Sequence, residues 1–205
     1  MAEWKLFNGE PPESAEYLAG RPWMDLAHQP GFAERSAMVV CLIRFIHALH
    51  PVKSITDLGC GDGALLRLLP PAEATGWKTW GYDLGPADVA HGQARGQDLR
   101  LADITRDDLE YGELVVATEV AEHLENPHKW LASLPRRMLI LSSPSAETDV
   151  WHNPIHSWAW DMAGYRDLAE GAGWRVAYHT DCDGGENTFN GVRGVQRFQA
   201  LVAVR

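Results

Sequence analysis

Hydrophobic residues along the chain follow a helical period first, and then short apolar runs alternate with helix-like segments. Apolar residues recur every three or four positions over Phe32–Leu49, which predicts one long helix that ends before Pro51. After it, strands are expected at residues 52–58, 77–82, 98–101, 114–118, 138–141, 174–179 and 195–204. Helices are expected between them, at residues 64–69, 86–92, 120–124, 127–134 and 162–172.

Strands that alternate with helices predict a parallel sheet covered on both faces, which is an α/β three-layer sandwich. The last two of the seven strands have no helix between them, so an antiparallel pair is expected at that end of a mostly parallel sheet. The segment between these two strands, residues 180–194, is polar and rich in glycine. We expect it to be a loop, either a flap over a ligand or a long hairpin connection.

The chain of 205 residues is expected to form one domain, residues 32–205, preceded by an extension, residues 1–31. The extension is expected to pack as a cap because it carries four aromatic residues: Trp4, Phe7, Tyr17 and Trp23. Three widely spaced cysteines without a C-x-x-C pair exclude a disulfide framework and are typical of a reducing compartment. No apolar run is long enough to span a bilayer and no leader-like segment is present, so we expect a cytoplasmic protein.

The charge balance restricts the expected partners. The chain has 18 Lys and Arg residues against 28 Asp and Glu residues, which gives a formal net charge of −10. Such a field repels phosphate backbones and anionic lipid surfaces at long range. We therefore expect a small-molecule partner, no nucleic acid and no membrane; the oligomeric state is not predicted.

A glycine-rich loop joins the first predicted strand to its helix. Gly59, Gly61 and Ala64 match the dinucleotide-binding pattern G-x-G-x-x-G/A, although glycines at this place also serve plain turn geometry. Asp57 at the strand end and Asp62 at the helix start would repel a pyrophosphate, but they would attract an ammonium or sulfonium group. S-adenosylmethionine carries both cations, so the loop favours it, and a nicotinamide dinucleotide is the alternative.

Two more aspartates follow the next two predicted strands. Asp83 ends the second strand, where a carboxylate can accept both hydroxyls of a ribose. Asp103 follows the third strand, where it can accept from an adenine amino group. Each aspartate alone is readily explained as a helix cap or turn residue. Together they lie at the ends of successive parallel strands, where ligands bind, and this favours a nucleoside site.

Four segments resemble the successive motifs of class I S-adenosylmethionine-dependent methyltransferases: ITDLGCGDG, WGYDL, LADIT and LVVATEVAEHLENP. The resemblance implies a Rossmann-like seven-stranded fold that binds S-adenosylmethionine and releases S-adenosylhomocysteine. It implies that the glycine loop holds the methionyl end, Asp83 the ribose, and Asp103 with Ile104 the adenine. Thr118 and Glu119 would lie beside the methyl group. The cofactor-binding residues that we expect are Asp57, Gly59, Cys60, Gly61, Asp83, Leu84, Asp103, Ile104, Thr118 and Glu119.

The segment after the fourth predicted strand carries two acids and a histidine. On a helix Glu119, Glu122 and His123 would share one face, and with His152 or His156 they could bind a divalent metal ion. This Glu-x-x-Glu-His pattern also resembles the metal-dependent small-RNA 3′-terminal 2′-O-methyltransferases. Because the pattern also occurs in metal-free class I enzymes and the net charge is negative, we expect no metal.

Methyl transfer requires the lone pair of the acceptor in line with the methyl group, and a base helps where the acceptor is a hydroxyl. We expect His123 or His156 to be that catalytic base, although either could be a pocket histidine that only packs. An acceptor pocket wall, suited to an aromatic or cationic acceptor or else core packing, is expected from Trp151, His152, His156, Trp158 and Trp160. The predicted function is methyl transfer to an oxygen or nitrogen atom of a small molecule. The RNA-end enzyme and a non-catalytic S-adenosylmethionine-binding protein are the alternatives.

Overall fold

The computed structural model describes residues 5–6, 31–189 and 191–205. Most of the predicted N-terminal cap, residues 1–31, lies outside these described residues, so the cap stays a prediction. Within it, Lys5–Leu6 forms the two-residue strand β1, which pairs antiparallel with Trp158–Ala159, strand β7.

Helices and strands alternate along the rest of the described chain. The helices are α1 Phe32–Leu49, α2 Ala64–Arg67, α3 Ala72–Thr75, α4 Pro86–Ala94, α5 Pro127–Ser133 and α6 Met162–Gly171. The remaining strands are β2 Ser54–Leu58, β3 Lys78–Asp83, β4 Leu99–Leu101, β5 Leu114–Thr118, β6 Met138–Pro144, β8 Arg175–Phe189 and β9 Val192–Val204. A short 3-10 turn, Ala121–His123, occurs where the sequence predicts a helix over residues 120–124.

Seven strands form one sheet in the order β4-β3-β2-β5-β6-β9-β8. Strands β2 to β6 run parallel, and β9 is antiparallel to both of its neighbours. Helices α5 and α6 bury Leu131 and Tyr165 in a core on one face, whereas α1 buries Ile43 and Ile46 in a core on the other. The prediction of a three-layer α/β sandwich with a seven-stranded, mostly parallel sheet is confirmed.

The last two strands are longer than the sequence pattern predicts. Their pairing continues from Arg175 opposite Val204 to Phe189 opposite Val192, so the loop predicted over residues 180–194 is wrong. The hairpin carries many polar residues, so the sequence shows no apolar alternation from which these strands could be predicted. The hairpin is held by its backbone pairing and by Phe189, whose ring centroid lies 5.1 Å from that of Trp151.

Among the described residues, no helix is long and apolar enough to cross a membrane.

Candidate active site

The carboxyl ends of the parallel strands bring the predicted cofactor residues to one edge of the sheet. Asp57 is the penultimate residue of β2, Asp83 is the last of β3 and Thr118 is the last of β5. The glycine loop follows β2, and Glu119 follows β5. In open α/β sheets this edge is where ligands bind.

The glycine loop is fixed to the end of β3 by backbone hydrogen bonds. The amides of Gly59 and Cys60 donate to the carbonyl of Tyr82 at 2.8 and 3.0 Å. The amide of Gly61 donates to Asp83 Oδ2 at 2.7 Å. The loop backbone is therefore held in place before any ligand binds.

Close packing around the loop restricts which residue can stand at position 59 and where the side chain at position 60 can lie. Gly59 has a φ of 71°, and a Cβ atom there would lie 2.5 Å from Val120 Cγ2, so a larger residue fits neither the conformation nor the space. The thiol of Cys60 is buried against Gly81, where a Cβ atom would lie 2.6 Å from the sulfur. Cys60 can therefore contact a ligand only through its main chain.

Asp57 is a buried acid with an unsatisfied oxygen. Its side chain is 1% exposed, and among residues 31–189 and 191–205 no donor reaches Oδ1. Burial, and then the charge of Asp83, raise the pKa of Asp57 to about 8. A cationic ligand group beside Oδ1 would supply the missing partner and favour the ionised form. The ammonium and sulfonium groups of S-adenosylmethionine fit this requirement.

Asp83 braces two loops at the end of β3. Besides the amide of Gly61, its carboxylate accepts from the amide of Gly85 at 2.8 Å through Oδ1. Burial raises the pKa of Asp83, and the donated amide hydrogen bonds oppose that rise. Leu84, the next residue, is half-buried at the same edge.

Asp62 does not join Asp57 in a cofactor pocket. Its buried carboxylate accepts from the amide of Ala64 at 3.0 Å and from Arg67 Nη2 at 2.9 Å. The second acid of the glycine loop is therefore engaged by the first turn of helix α2 and by Arg67, and the attraction for a cation that the sequence suggests rests on Asp57 and Asp83.

Asp103 caps its own turn. Its Oδ1 accepts from the amide of Thr105 at 2.9 Å and from the hydroxyl of Thr105 at 2.6 Å. Ile104 is half-buried and packs against the core on the α5–α6 face of the sheet. Both residues lie just after β4, at the same end of the sheet as Asp83, and their contact with an adenine stays a prediction.

Glu119 has an unusual backbone conformation for a residue with a side chain. Its φ is 57°, in the left-handed region, where strain often marks a functional site. Its Oε1 accepts from the hydroxyl of Ser142 at 2.8 Å, and Oε2 lies 3.6 Å from Arg35 Nη1. Burial raises the pKa of Glu119 to about 6, against the opposing charge of Arg35.

A second cluster, beside Glu119, unites Glu122, His123 and His156. One ligand atom of each lies within 4.8 Å of the others, and the ring centroids of the two histidines are 4.7 Å apart. Glu122 is fully buried, and neither of its oxygens has a hydrogen-bond donor within the described residues. Burial, and then the charge of Glu119, raise the pKa of Glu122 well above its usual range, which favours the uncharged carboxyl.

Both histidines of this cluster are anchored through Nδ1. His123 Nδ1 lies 3.3 Å from the carbonyl of Ile155. His156 Nδ1 lies 2.8 and 2.9 Å from the two oxygens of Glu147, a residue that the sequence reasoning misses. Burial lowers the pKa of His123 well below its usual value and that of His156 to about 3, so both rings are neutral at pH 7.

The predicted aromatic wall is mainly core packing. Trp160 and Trp151 are 2% and 6% exposed, and Trp158 stacks on Trp160 with ring centroids 6.1 Å apart. Trp158 also donates its indole N–H to the carbonyl of Leu124 at 2.8 Å. His152 contacts the carbonyl of Thr148 through Nδ1 and does not belong to the Glu122–His123–His156 cluster.

The order of the sheet and the residues at its carboxyl end are those of a class I methyltransferase fold, and the family comparison gives the same class. The family model for the methyltransferase domain matches residues 34–176. The chain therefore belongs to this family of S-adenosylmethionine-dependent methyltransferases. No curated protein matches the chain.

Solved methyltransferase structures share the fold at low sequence identity. The magnesium protoporphyrin IX methyltransferase from Synechocystis PCC 6803 with bound S-adenosylhomocysteine has a TM-score of 0.62 and 19% identity, covering 93% of this chain and 92% of that chain. A chain from the complex of the Haloferax volcanii Trm112 methyltransferase activator with a putative methyltransferase has a TM-score of 0.58 and 19% identity, covering 85% and 96%. A putative methyltransferase from Bacillus halodurans C-125 has a TM-score of 0.56 and 16% identity, covering 80% and 96%.

Proposed function

We propose that this protein transfers the methyl group of S-adenosylmethionine to an oxygen or nitrogen atom of a small-molecule acceptor. The observation that carries the proposal is the contact between the imidazoles of His123 and His156, whose ring centroids lie 4.7 Å apart in the segments that follow β5 and β6. The net charge of −10 opposes a nucleic-acid acceptor. The Synechocystis protein of the same fold is a magnesium porphyrin methyltransferase, which is an example of a small acceptor.

The residues of the sheet edge would bind the cofactor by charge and by hydrogen bonds. S-adenosylmethionine supplies an electrophilic methyl group on a sulfonium centre. Asp57 would accept the ammonium group at its unsatisfied Oδ1, and it would lose its proton because a nearby cation favours the carboxylate. Asp83 would accept the ribose hydroxyls, and Asp103 and Ile104 would contact the adenine. Main-chain groups of the glycine loop would hold the methionyl end.

The acceptor would bind between the cofactor edge and the histidine pair. Thr118 and Glu119 would lie beside the methyl group. His123 or His156 would accept the proton of a hydroxyl or ammonium acceptor. Burial lowers the pKa of both rings, so each is uncharged at pH 7 and is a weak base. An aromatic or cationic acceptor is the expected class, since Glu147 contacts His156 and the charges of Glu119 and Glu147 act on each other beside the histidine pair.

Methyl transfer from tritiated S-adenosylmethionine to a panel of phenols, catechols, amines and carboxylic acids tests the proposal. We expect transfer to a member of this panel, loss of transfer in Asp57→Asn and a larger fall in kcat than in cofactor affinity in His123→Ala. The matched control is the exposed Asp108→Asn. Cofactor binding without transfer to any acceptor would favour the non-catalytic alternative and contradict the proposal.

A metal-assisted reaction on an RNA 3′-terminal hydroxyl is the second candidate. The observation that favours it is the approach of Glu122, His123 and His156 ligand atoms to within 4.8 Å of one another, a donor set suited to a divalent cation. Such an ion would polarise and acidify the hydroxyl. Loss of activity with a chelator, rescue by a divalent ion and near-stoichiometric metal in the purified protein would select this candidate. We expect chelation to leave transfer unchanged.

A further inference from the structure

Glu147 and His156 form a buried carboxylate–imidazole pair in the segment between β6 and β7. The side chains of Glu147 and His156 are 2% and 6% exposed. His156 Nδ1 lies almost equally far from both carboxylate oxygens, at 2.8 and 2.9 Å. Oε1 of Glu147 also accepts from the amide of Asn153 at 2.8 Å. The carboxylate is thus held at a fixed place by the backbone of its own loop.

The charge on Glu147 determines which ring nitrogen carries the proton. Burial raises the pKa of Glu147 to about 7, and an ionised carboxylate can only accept a hydrogen bond. Because Nδ1 of His156 contacts both oxygens of Glu147, the imidazole is the donor when Glu147 is ionised. In that state the proton of the neutral ring lies on Nδ1, and the lone pair lies on Nε2.

His123 carries the same tautomer for a related reason. Its Nδ1 lies 3.3 Å from the carbonyl of Ile155, and a carbonyl oxygen can only accept. In this tautomer the lone pair of each neutral ring of the cluster lies on Nε2. They differ in the partner at Nδ1, because His123 faces a neutral carbonyl whereas His156 faces a carboxylate, which stabilises an imidazolium better than a carbonyl does.

We propose that Glu147 is a positioning residue, which holds His156 in the Nδ1–H tautomer and so makes its Nε2 the base for the acceptor. This inference rests on the proposed function. In the reaction, the acceptor lone pair forms a bond to the methyl carbon while the electrons of the carbon–sulfur bond stay on sulfur. The acceptor proton moves to His156 Nε2, and the imidazolium later returns it to solvent. The carboxylate of Glu147 compensates the positive charge of the ring during this interval.

Other charged groups around His156 do not replace Glu147. Arg35 and His152 both disfavour a positive charge on the ring of His156, and His123 contacts that ring edge-on. Burial raises the pKa of Glu122 well above its usual range, which favours its uncharged form. Glu147 is the acid that contacts Nδ1 of His156, so it is placed to offset an imidazolium there.

The tautomer can be measured without any knowledge of the acceptor. We would record nitrogen-15 spectra of histidine-labelled, chelator-treated protein with S-adenosylhomocysteine, and assign the His156 signals with His156→Gln. In the wild-type protein we expect a protonated Nδ1 and an unprotonated Nε2. Glu147→Gln keeps an acceptor oxygen and should keep this tautomer, whereas Glu147→Leu should shift the ring to Nε2–H or to a mixture. The exposed Glu170→Leu is the control, with an unchanged His156 spectrum.

Turnover on the acceptor found by the panel gives the second measurement. We expect kcat to fall about 10–100-fold in Glu147→Leu with the KM for S-adenosylmethionine unchanged, and less in Glu147→Gln. An Nε2–H tautomer in the wild-type protein would overturn the proposal. The proposal also fails if the tautomer and kcat do not change together in a folded Glu147→Leu protein. If the leucine variant does not fold, Glu147→Asp takes its place in the same comparison. If the panel yields no acceptor, the proposed function fails while the tautomer still decides the role of Glu147.

Discussion

Replacing Asp83 tests the two tasks that the structure and the proposed function give to one carboxylate. Asp83→Ala removes the acceptor of two backbone amides, those of Gly61 at 2.7 Å and Gly85 at 2.8 Å. It also removes the expected acceptor of the ribose hydroxyls. A loss of cofactor affinity alone would therefore not distinguish direct contact from disturbance of the loop.

The magnitude of the stability loss follows from these two hydrogen bonds. A hydrogen bond to a charged group contributes about 1.5–3 kcal/mol, so two of them contribute roughly 3–6 kcal/mol. The burial that raises the pKa of Asp83 offsets part of this gain. We expect the free energy of unfolding to fall by roughly 2–4 kcal/mol, which a domain with about 5–15 kcal/mol of stability can tolerate. Asp83→Asn keeps one acceptor oxygen and should lose about half as much.

A thermodynamic cycle separates the two tasks. Calorimetry would compare S-adenosylhomocysteine with its 2′-deoxy analogue on the wild-type protein and on Asp83→Asn, with Asp108→Asn as a surface control. We expect the variant to bind S-adenosylhomocysteine at least about ten-fold more weakly, or about 1.4 kcal/mol. The binding free energy lost with the 2′-hydroxyl should be large in the wild-type protein and small in the variant. An equal penalty in both proteins would refute the ribose contact and leave Asp83 as a loop brace.

Three further outcomes are expected. The folded state keeps a proton on Asp57 up to about pH 8, whereas the unfolded chain loses it near pH 3.8, so the free energy of unfolding should fall as pH rises between these values. Asp57→Asn should flatten this slope by up to about 1.4 kcal/mol per pH unit in urea titrations, and an unchanged slope would contradict the buried acid. Gly194→Ala would place a Cβ atom 2.5 Å from the ring of Trp151 and should cost about 1–3 kcal/mol by thermal unfolding, whereas Val195→Ala, at an exposed position, should not. His123→Ala should raise the Kd for S-adenosylhomocysteine less than two-fold by calorimetry, since the ring is expected on the acceptor side.

The order of the sheet can be predicted from the sequence because apolar runs and helical periods alternate along the chain. β5, Leu114–Thr118, is predicted to the residue, since a buried central strand is a continuous apolar run. The hairpin of β8 and β9 differs. Its partly exposed residues, such as Asp183 and Asn187, carry no apolar alternation, and their strand conformation depends on pairing with a distant segment.

The positions of the candidate site residues in the fold are predicted where they depend on local pattern. Asp57 and Asp83 lie at strand ends whose position the alternation gives, and their convergence follows from parallel topology. Glu147 could not be found in this way. Its segment carries no periodic signal, and its partner His156 is nine residues away in an irregular loop, so only the folded chain brings the two together. Asp62, by contrast, has the residue type and place of a ligand, but Arg67 pairs with it.

The contact of Trp151 with the β8–β9 hairpin attaches the segment between β6 and β7 to the antiparallel end of the sheet. The parallel strands carry the expected cofactor residues, whereas the segment with Glu147 and His156 is attached to the antiparallel hairpin through Trp151, Phe189 and Gly194. Asp57 and Asp83 lie on strands that do not pair with the hairpin, so we expect substitutions along it to affect the segment with Glu147 and His156 first. On the proposed function, drift in this hairpin would change the preferred acceptor before it changed the affinity for the methyl donor.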